Sequence, residues 1–367
     1  MPDTEQEWKR YTEKELVTLR PVLLRLGYAL AQEQPHLSGE RFLMQAVTTE
    51  SGKKLILLGT RTEDGVNVVI KATSDGAGKR ELKHEQTCRR VLNQLRFSYN
   101  TFQTPEELYF GHVGSHVISI QRFIEQDGPF LARPIAEQFS YALAAFKAQE
   151  SVHAATYEQA RLIEHTFGSM NVEEYLDSFV KFRHDILVDP FKAANVPETF
   201  EIAETFLRQN KETIEQYTGF LTHTDFVPHN FRIKNDTLYL LDYSSLRFGN
   251  KHEGWARFLN FMTLYNPALA DALTSYVRDN RAEEEALSLK LMRVYRLGEI
   301  LAYYTNTLKK SDGNLLLLNQ ARREFWLRVL ESVLEDGPLD EAVRKDYVQT
   351  RDSLRSTEEH ERQEGLH

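Results

Sequence analysis

The chain has 367 residues, a formal net charge of −9 and a single cysteine, Cys88. That length exceeds one hydrophobic core and predicts two lobes, while one cysteine excludes a disulfide framework or a multi-cysteine zinc site. The acidic excess falls after residue 125, which disfavours nucleic acid as a partner, although acidity serves solubility first.

In chain order, the polar N-terminus carries both charge signs and reads as neither a signal nor a transit peptide. No apolar run reaches membrane-helix length, so a cytoplasmic protein without membrane insertion is expected. Trp8 to Gln32 show a helical stripe through Leu16, Leu19, Leu23, Leu26 and Leu30, followed by Pro35. The segments RFLMQAVTT, KKLILLGTRT and VNVVIKAT predict three antiparallel strands between Arg41 and Thr73, the last two joined by the hairpin signal Asp64-Gly65. RELKHEQTCRRVLNQL predicts a helix with Leu82, Cys88, Val91, Leu92 and Leu95 inward, and strands follow around EELYFGHV and HVISIQRFI.

Beyond the boundary DGP at 127–129 the pattern turns helical, with long amphipathic segments interrupted once. The interruption is a small hairpin, FRIK and LYLLD about the turn Asn235-Asp236. The last stretch, RDSLRSTEEHERQEGLH, has almost no apolar residues and is expected to be frayed or disordered. The expected class is α+β, divided as an N-terminal helical extension (1–37), a β-rich lobe (38–126), a helical lobe with an embedded hairpin (127–340) and a polar tail (341–367).

The chemistry concentrates in LTHTDFVPHNFRIKNDTLYLLDYSS, residues 221–245. His223, Asp225 and Asn230 are spaced H-x-D-x-x-x-x-N, and Asp242 closes the hairpin's second strand. A tight hairpin returns its ends to one place, so Asn230 and Asp242 should converge. A carboxylate and an amide oxygen form a hard-oxygen set suited to Mg²⁺, while Asp225 can address an incoming hydroxyl, the arrangement of phosphoryl transfer. Lys71, ending the third strand, can point towards phosphates. Glu85, fourteen residues on, can pair with it; Glu81 lies one turn earlier on nearly the same face. The turn TTESGKK, with Ser51 and Gly52, could cover phosphates with backbone N–H groups.

HTDFVPHN…LLDYSS, with VVIKAT, KHEQTCRRVLNQL and ISIQRFIEQDGPF, resembles the aminoglycoside phosphotransferase and choline kinase superfamily over roughly residues 40–260. The resemblance implies a bilobal protein-kinase-like fold, a nucleotide-binding first lobe, and ATP and Mg²⁺ as cofactors. It implies Asp225 as catalytic base, His223 as a buttress of the loop, Asn230 and Asp242 as Mg²⁺ ligands, and Lys71 with Glu85 as the phosphate clamp. QRFIEQ would be the hinge holding the adenine around Arg122, Phe123 and Ile124. The implied activity is transfer of the γ-phosphate to a small hydroxylated acceptor, an aminosugar, amino-alcohol or sugar.

Departures separate the chain from protein kinases. Thr224 and Val227 stand where those enzymes carry Arg and Lys, YSS replaces Phe-Gly after Asp242, and no Ala-Pro-Glu segment follows. Gly254 stands near the place of a second Asp usual in the antibiotic kinases. A pseudokinase acting as a regulatory or scaffold module is the alternative function. A hydrolase metal site using His223, Asp225 and His229 would need further convergent ligands.

Overall fold

A computed structural model describes residues 3–34, 37, 52–94, 103–150, 157–189, 193 and 195–364. Helix α1 (Asp3–Arg25) is followed by strand β1 (Tyr28–Leu30), and the small lobe continues with β2 (Leu55–Arg61), β3 (Asn67–Thr73), helix α2 (Gly76–Gln94), β4 (Glu107–Val113) and β5 (His116–Arg122). The five strands form one antiparallel sheet in the order β1-β2-β3-β5-β4. The strand expected over RFLMQAVTT and the loop residue Ser51 lie outside the described residues.

The first helix stops earlier than its leucine stripe suggests. Gly27 adopts φ +84°, which turns the chain, and Tyr28–Leu30 pairs with β2 instead. Nor is α1 an extension. Trp8, Leu19 and Leu23 share one buried cluster with Leu55, Leu57, Ile70, Ile118 and Ile120 of the sheet. The buried Glu15 fastens the helix further: its carboxylate accepts hydrogen bonds from Ser74 N at 3.1 Å and Ser74 Oγ at 2.6 Å, and faces His116 Nε2 at 3.2 Å. Tyr11 donates to the Lys53 carbonyl at 3.2 Å. A boundary at residue 37 would therefore cut through a single core.

The second lobe is built from α3 (Ile135–Glu150), α4 (Tyr157–Phe167), α5 (Val172–Leu187), α6 (Val196–Gln209), α7 (Lys211–Gln216), α8 (Glu253–Tyr265), α9 (Pro267–Asn280), α10 (Glu283–Leu308) and α11 (Gly313–Leu334). Its core is continuous and rich in aromatics, with Phe146 stacked on Trp255 at 3.9 Å. In α3 the buried face includes Gln138 and Gln149, whereas Ile135 at its start is exposed.

The hairpin is β7 (Phe231–Lys234) and β8 (Thr237–Leu240), with Asn235 and Asp236 both at positive φ, as a tight turn requires. It is not the sole β structure here. Strand β6 (Phe220–His223) pairs with β9 (Leu246–Gly249), so the hairpin is framed by a second ladder. The tail also departs from expectation: α12 (Glu341–Leu354) and α13 (Thr357–Glu364) are helical. Asp340 caps α12 by accepting from Ala342 N at 2.8 Å, and the buried Tyr347 stacks on Phe325 at 4.6 Å. The cap and the aromatic anchor fix α12 from its first two turns, ahead of the apolar-poor stretch that begins at Arg351.

The lobes meet at several places, among them a bridge between Gln103 and Tyr239. Asp127 at the boundary segment donates its N–H to the Ile233 carbonyl at 3.2 Å and accepts from Asn235 N at 2.8 Å. Helix α2 packs against the short turn Tyr243–Ser245 that follows Asp242.

Candidate active site

The small-lobe half follows from strand alternation. Val68, Ile70 and Ala72 face the buried side of β3, so Lys71 projects from the opposite face, where α2 crosses. Its Nζ meets Glu85 Oε1 at 2.6 Å, and Glu85 is buried. Glu81, the competing carboxylate, is engaged elsewhere: it accepts from Lys54 Nζ at 3.0 Å and from Gly52 N at 2.8 Å. Two ion pairs thus stand side by side along one helix face.

The helical-lobe half is organised around Asp225. Its Oδ1 accepts from Arg257 Nε at 2.9 Å and its Oδ2 from Asn230 Nδ2 at 2.8 Å, with its side chain 38% exposed. Burial would push this carboxyl up, but Arg257, His229, His223 and Arg296 outweigh it and hold it well below the usual carboxylate range. Asn230 Nδ2 also donates to the Asp225 carbonyl at 2.7 Å. Both of its amide protons are thus directed at Asp225, and Oδ1 accepts no hydrogen bond among the described residues.

The fully buried His223 lies under the loop. Its Nε2 donates to the carbonyls of Leu241 at 3.0 Å and Asp242 at 3.1 Å. Thr224 sends both its N–H and its hydroxyl to the Ser245 carbonyl, and Leu241 N bonds the Asn230 carbonyl at 2.8 Å. The ends of the hairpin therefore converge, as the sequence pattern expects.

Asp242 itself adopts φ 55° and ψ 62°, a left-handed conformation uncommon for a non-glycine residue. Its carboxylate oxygens accept from Ser244 Oγ at 2.6 Å and Ser245 Oγ at 3.0 Å. Burial pushes this carboxyl up, yet Lys71 and Lys54 of the other lobe, the Ser244 hydroxyl and His223 bring it below its ordinary value. The charges of Lys71 and Lys54 thus bear on Asp242 from the other lobe. The Asp242 carboxylate and the Asn230 Oδ1 are a hard-oxygen pair that fits Mg²⁺.

Two expected nucleotide contacts are arranged differently. Gly52 N–H is committed to Glu81, and a Cβ on Gly52 would run into Gly78 of α2, so this residue is pinned to the helix and offers no free donor to a phosphate. At the hinge, Arg122 N bonds the Glu106 carbonyl and Phe123 N the Asn67 carbonyl, each at 2.9 Å. Of the three hinge amides, only that of Ile124 makes no hydrogen bond among the described residues.

Several supporting residues carry no local signal. Lys54 pairs with Glu81 and bears on Asp242. Gln149 Oε1 accepts from His223 N at 3.3 Å. Gly254 N donates to Thr222 Oγ1 at 3.0 Å, and a Cβ there would strike Gln149 Oε1 and lie 3.0 Å from the His223 carbonyl oxygen. Glycine at this position is what lets α8 press against β6. Beside it, the buried Glu253 carboxylate joins Arg247, Arg296 at 3.2 Å and the Tyr175 hydroxyl at 2.7 Å. Most of these partners arrive from other strands and helices, which neighbouring residues in the sequence do not disclose.

The hydrolase metal reading is not supported by the geometry, since His223 faces backbone carbonyls and Asp225 faces Arg257 and Asn230. Among the described residues, the His and carboxylate atoms that do converge are those of Glu150, His252 and Glu285. There Arg281 bonds Glu150 and Glu285, and Lys251 bonds Glu285, so the acidic charge is already matched.

No protein-family model matches the chain, and no curated protein matches it in sequence. Solved structures do match. A macrolide 2′-phosphotransferase type I superposes with a TM-score of 0.54 at 13% identity, over 84% of this chain and 96% of that one. The ADP-bound aminoglycoside phosphotransferase APH(2″)-Ib gives 0.52 at 15% identity, over 80% and 97%. A thermostable mutant of aminoglycoside phosphotransferase APH(4)-Ia, in ternary complex with AMP-PNP and hygromycin B, gives 0.52 at 14% identity, over 81% and 97%. The chain therefore has the bilobal kinase-like fold of the aminoglycoside and macrolide phosphotransferases. No helix among the described residues is long and apolar enough to cross a membrane.

Proposed function

We propose that the chain is an ATP- and Mg²⁺-dependent phosphotransferase that moves the γ-phosphate to a hydroxyl of a small acceptor. The observation that supports it best is the loop that ties Asp225 to Asn230 and, through His223, to Asp242, with the Lys71–Glu85 ion pair in the other lobe and the lysine charges there lowering the Asp242 carboxyl. In this reading Lys71, steadied by Glu85, binds the nucleotide phosphates, and Ile124 offers the hinge its free N–H. Asn230 Oδ1 and Asp242 would hold Mg²⁺, which supplies charge neutralisation on the phosphates when bound. Asp225 accepts the acceptor's hydroxyl hydrogen bond and orients it for in-line attack. Its depressed pKa suits an orienting group whose proton is received late in a loose transition state. His223 keeps the loop registered on Asp242 and takes no proton itself.

The pinned Gly52 favours a second reading, a nucleotide-binding module without transfer. ATP turnover against a panel of aminosugars, amino-alcohols and sugars separates the two. Transfer to one acceptor, abolished by EDTA and lowered about 10²–10⁴-fold by Asp225→Asn, is expected. Thermal stabilisation by ATP with Mg²⁺ but no turnover on any acceptor would instead select the binding module.

A further inference from the structure

The loop of this chain has no lysine or arginine between Asp225 and Asn230, and the buried Val227 stands two residues after Asp225. A guanidinium reaches the same place from elsewhere. Arg257, on the second turn of α8, anchors its Nε on Asp225 Oδ1 at 2.9 Å. Its side chain is 19% exposed, and its two Nη groups make no hydrogen bond among the described residues. A guanidinium is planar and rigid, so fixing Nε aims the remaining donors in a defined direction.

Its place relative to the rest of the site is also defined. Asn230 flanks Asp225 at Oδ2 and its carbonyl accepts from Leu241 N, next to Asp242, whereas Arg257 flanks Asp225 at Oδ1. A phosphoryl group meeting a hydroxyl at Asp225 would lie between the Lys71–Asp242 side and Arg257. Gly254 is what places Arg257 there: without a side chain, it lets the first turn of α8 seat on Thr222 and the His223 carbonyl, and Arg257 follows three residues later. Two departures in the sequence, Val227 and Gly254, thus belong to one arrangement.

We propose that Arg257 is a catalytic residue: its free Nη donors contact the γ-phosphoryl oxygens of the nucleotide as the group transfers, an arginine supplied by the chain to its own site. The proposal rests on the phosphotransferase reading above. In the step it serves, the acceptor oxygen forms the new bond to the γ-phosphorus while the bond from that phosphorus to the β,γ-bridging oxygen breaks. ADP leaves with the bridging oxygen and its electron pair, and the hydroxyl proton passes to Asp225. Arg257 neither gives nor takes a proton; it balances charge on the non-bridging oxygens.

The test uses the full chain and needs no acceptor. Thermal unfolding is followed with ADP and Mg²⁺, then with aluminium fluoride added as a mimic of the transferring phosphoryl. Wild type should gain a shift from ADP with Mg²⁺ and a further one from the fluoride. Arg257→Ala should keep the first shift, which also shows that it is folded, and lose the second, with Arg257→Lys intermediate. In turnover with an accepted substrate, Arg257→Ala should lose about 10³-fold or more, the range of a supplied arginine, at little changed nucleotide KM, and added guanidinium ion should restore part of the rate. A fluoride increment that is absent from wild type, or undiminished in Arg257→Ala, overturns the proposal. So does a variant that raises only the acceptor KM, which would make Arg257 a contact for an anionic acceptor. Absence of any nucleotide shift in wild type is a different failure, that of the phosphotransferase reading itself.

Discussion

The two halves of the candidate site rest on different scaffolds. In the small lobe, Lys71 and Glu85 are 14 residues apart and Lys54 and Glu81 are 27 apart, set by two neighbouring strands and one helix. In the helical lobe, Asp225 is held by Arg257, 32 residues away, and His223 by Gln149, 74 residues away. In the small lobe the Lys54–Glu81 pair is partly exposed, so altering it should leave the fold in place. The loop half is inseparable from the packing of its lobe, so damage there should appear in stability and chemistry together.

The sharpest way to break this contrast is Glu253→Gln. Removing the charge that Arg247 and Arg296 share inside the protein should cost about 3–5 kcal/mol, measured by chemical denaturation. A loss within experimental error of zero would mean that the loop does not depend on its scaffold. Gly254→Ala comes next. Its methyl group would meet Gln149 and the His223 carbonyl, and about 1–3 kcal/mol of overpacking is expected, with turnover falling alongside because Arg257 shifts.

The small-lobe pairs should behave otherwise. Glu81→Gln weakens a partly exposed pair worth about 0–1 kcal/mol, so nucleotide-dependent stabilisation should drop with little change in the apo melting temperature. Should apo stability fall as far as in Glu253→Gln, the contrast would be wrong.

Acid titration sharpens the comparison at smaller amplitude. Burial raises the Glu253 carboxyl, but Arg247 and Arg296 lower it further, leaving it below its ordinary value. A depressed carboxylate contributes stability that is present above its unfolded pKa of about 4.3 and is lost as pH falls through the folded value. Wild type should thus lose stability more steeply below about pH 4.3 than Glu253→Gln does. The smallest effect concerns Cys88, whose thiol is pushed up to about 12 by burial and then by Glu85. It should resist thiol reagents at neutral pH until the chain unfolds.

Legibility in the sequence follows the same division. Alternation put Lys71 on the face opposite Ile70, and helical spacing brought Glu85 to it, because both periodicities are local. The turn at Asn235-Asp236 likewise announced that Asn230 and Asp242 would meet. Local pattern could not disclose β6 and β9, four residues each and joined only through the loop between them. Arg257 was equally hidden, since its role depends on where Gly254 lets a helix dock. Gly52 shows the converse: a glycine in a plausible phosphate loop is needed for contact with Gly78 instead.

The Glu15 anchorage of the first helix carries a practical consequence. Ser74 lies three residues beyond Lys71, and Lys53 precedes the cationic partner of Glu81, so α1 grips from behind both segments that carry the small-lobe cations. Trimming the chain to begin after Arg25 would strip an apolar sheet face and loosen the register of those two ammonium groups at once. Any shortened version made for crystallisation should keep residue 8 onward, or its silence in assays will say nothing about the intact protein.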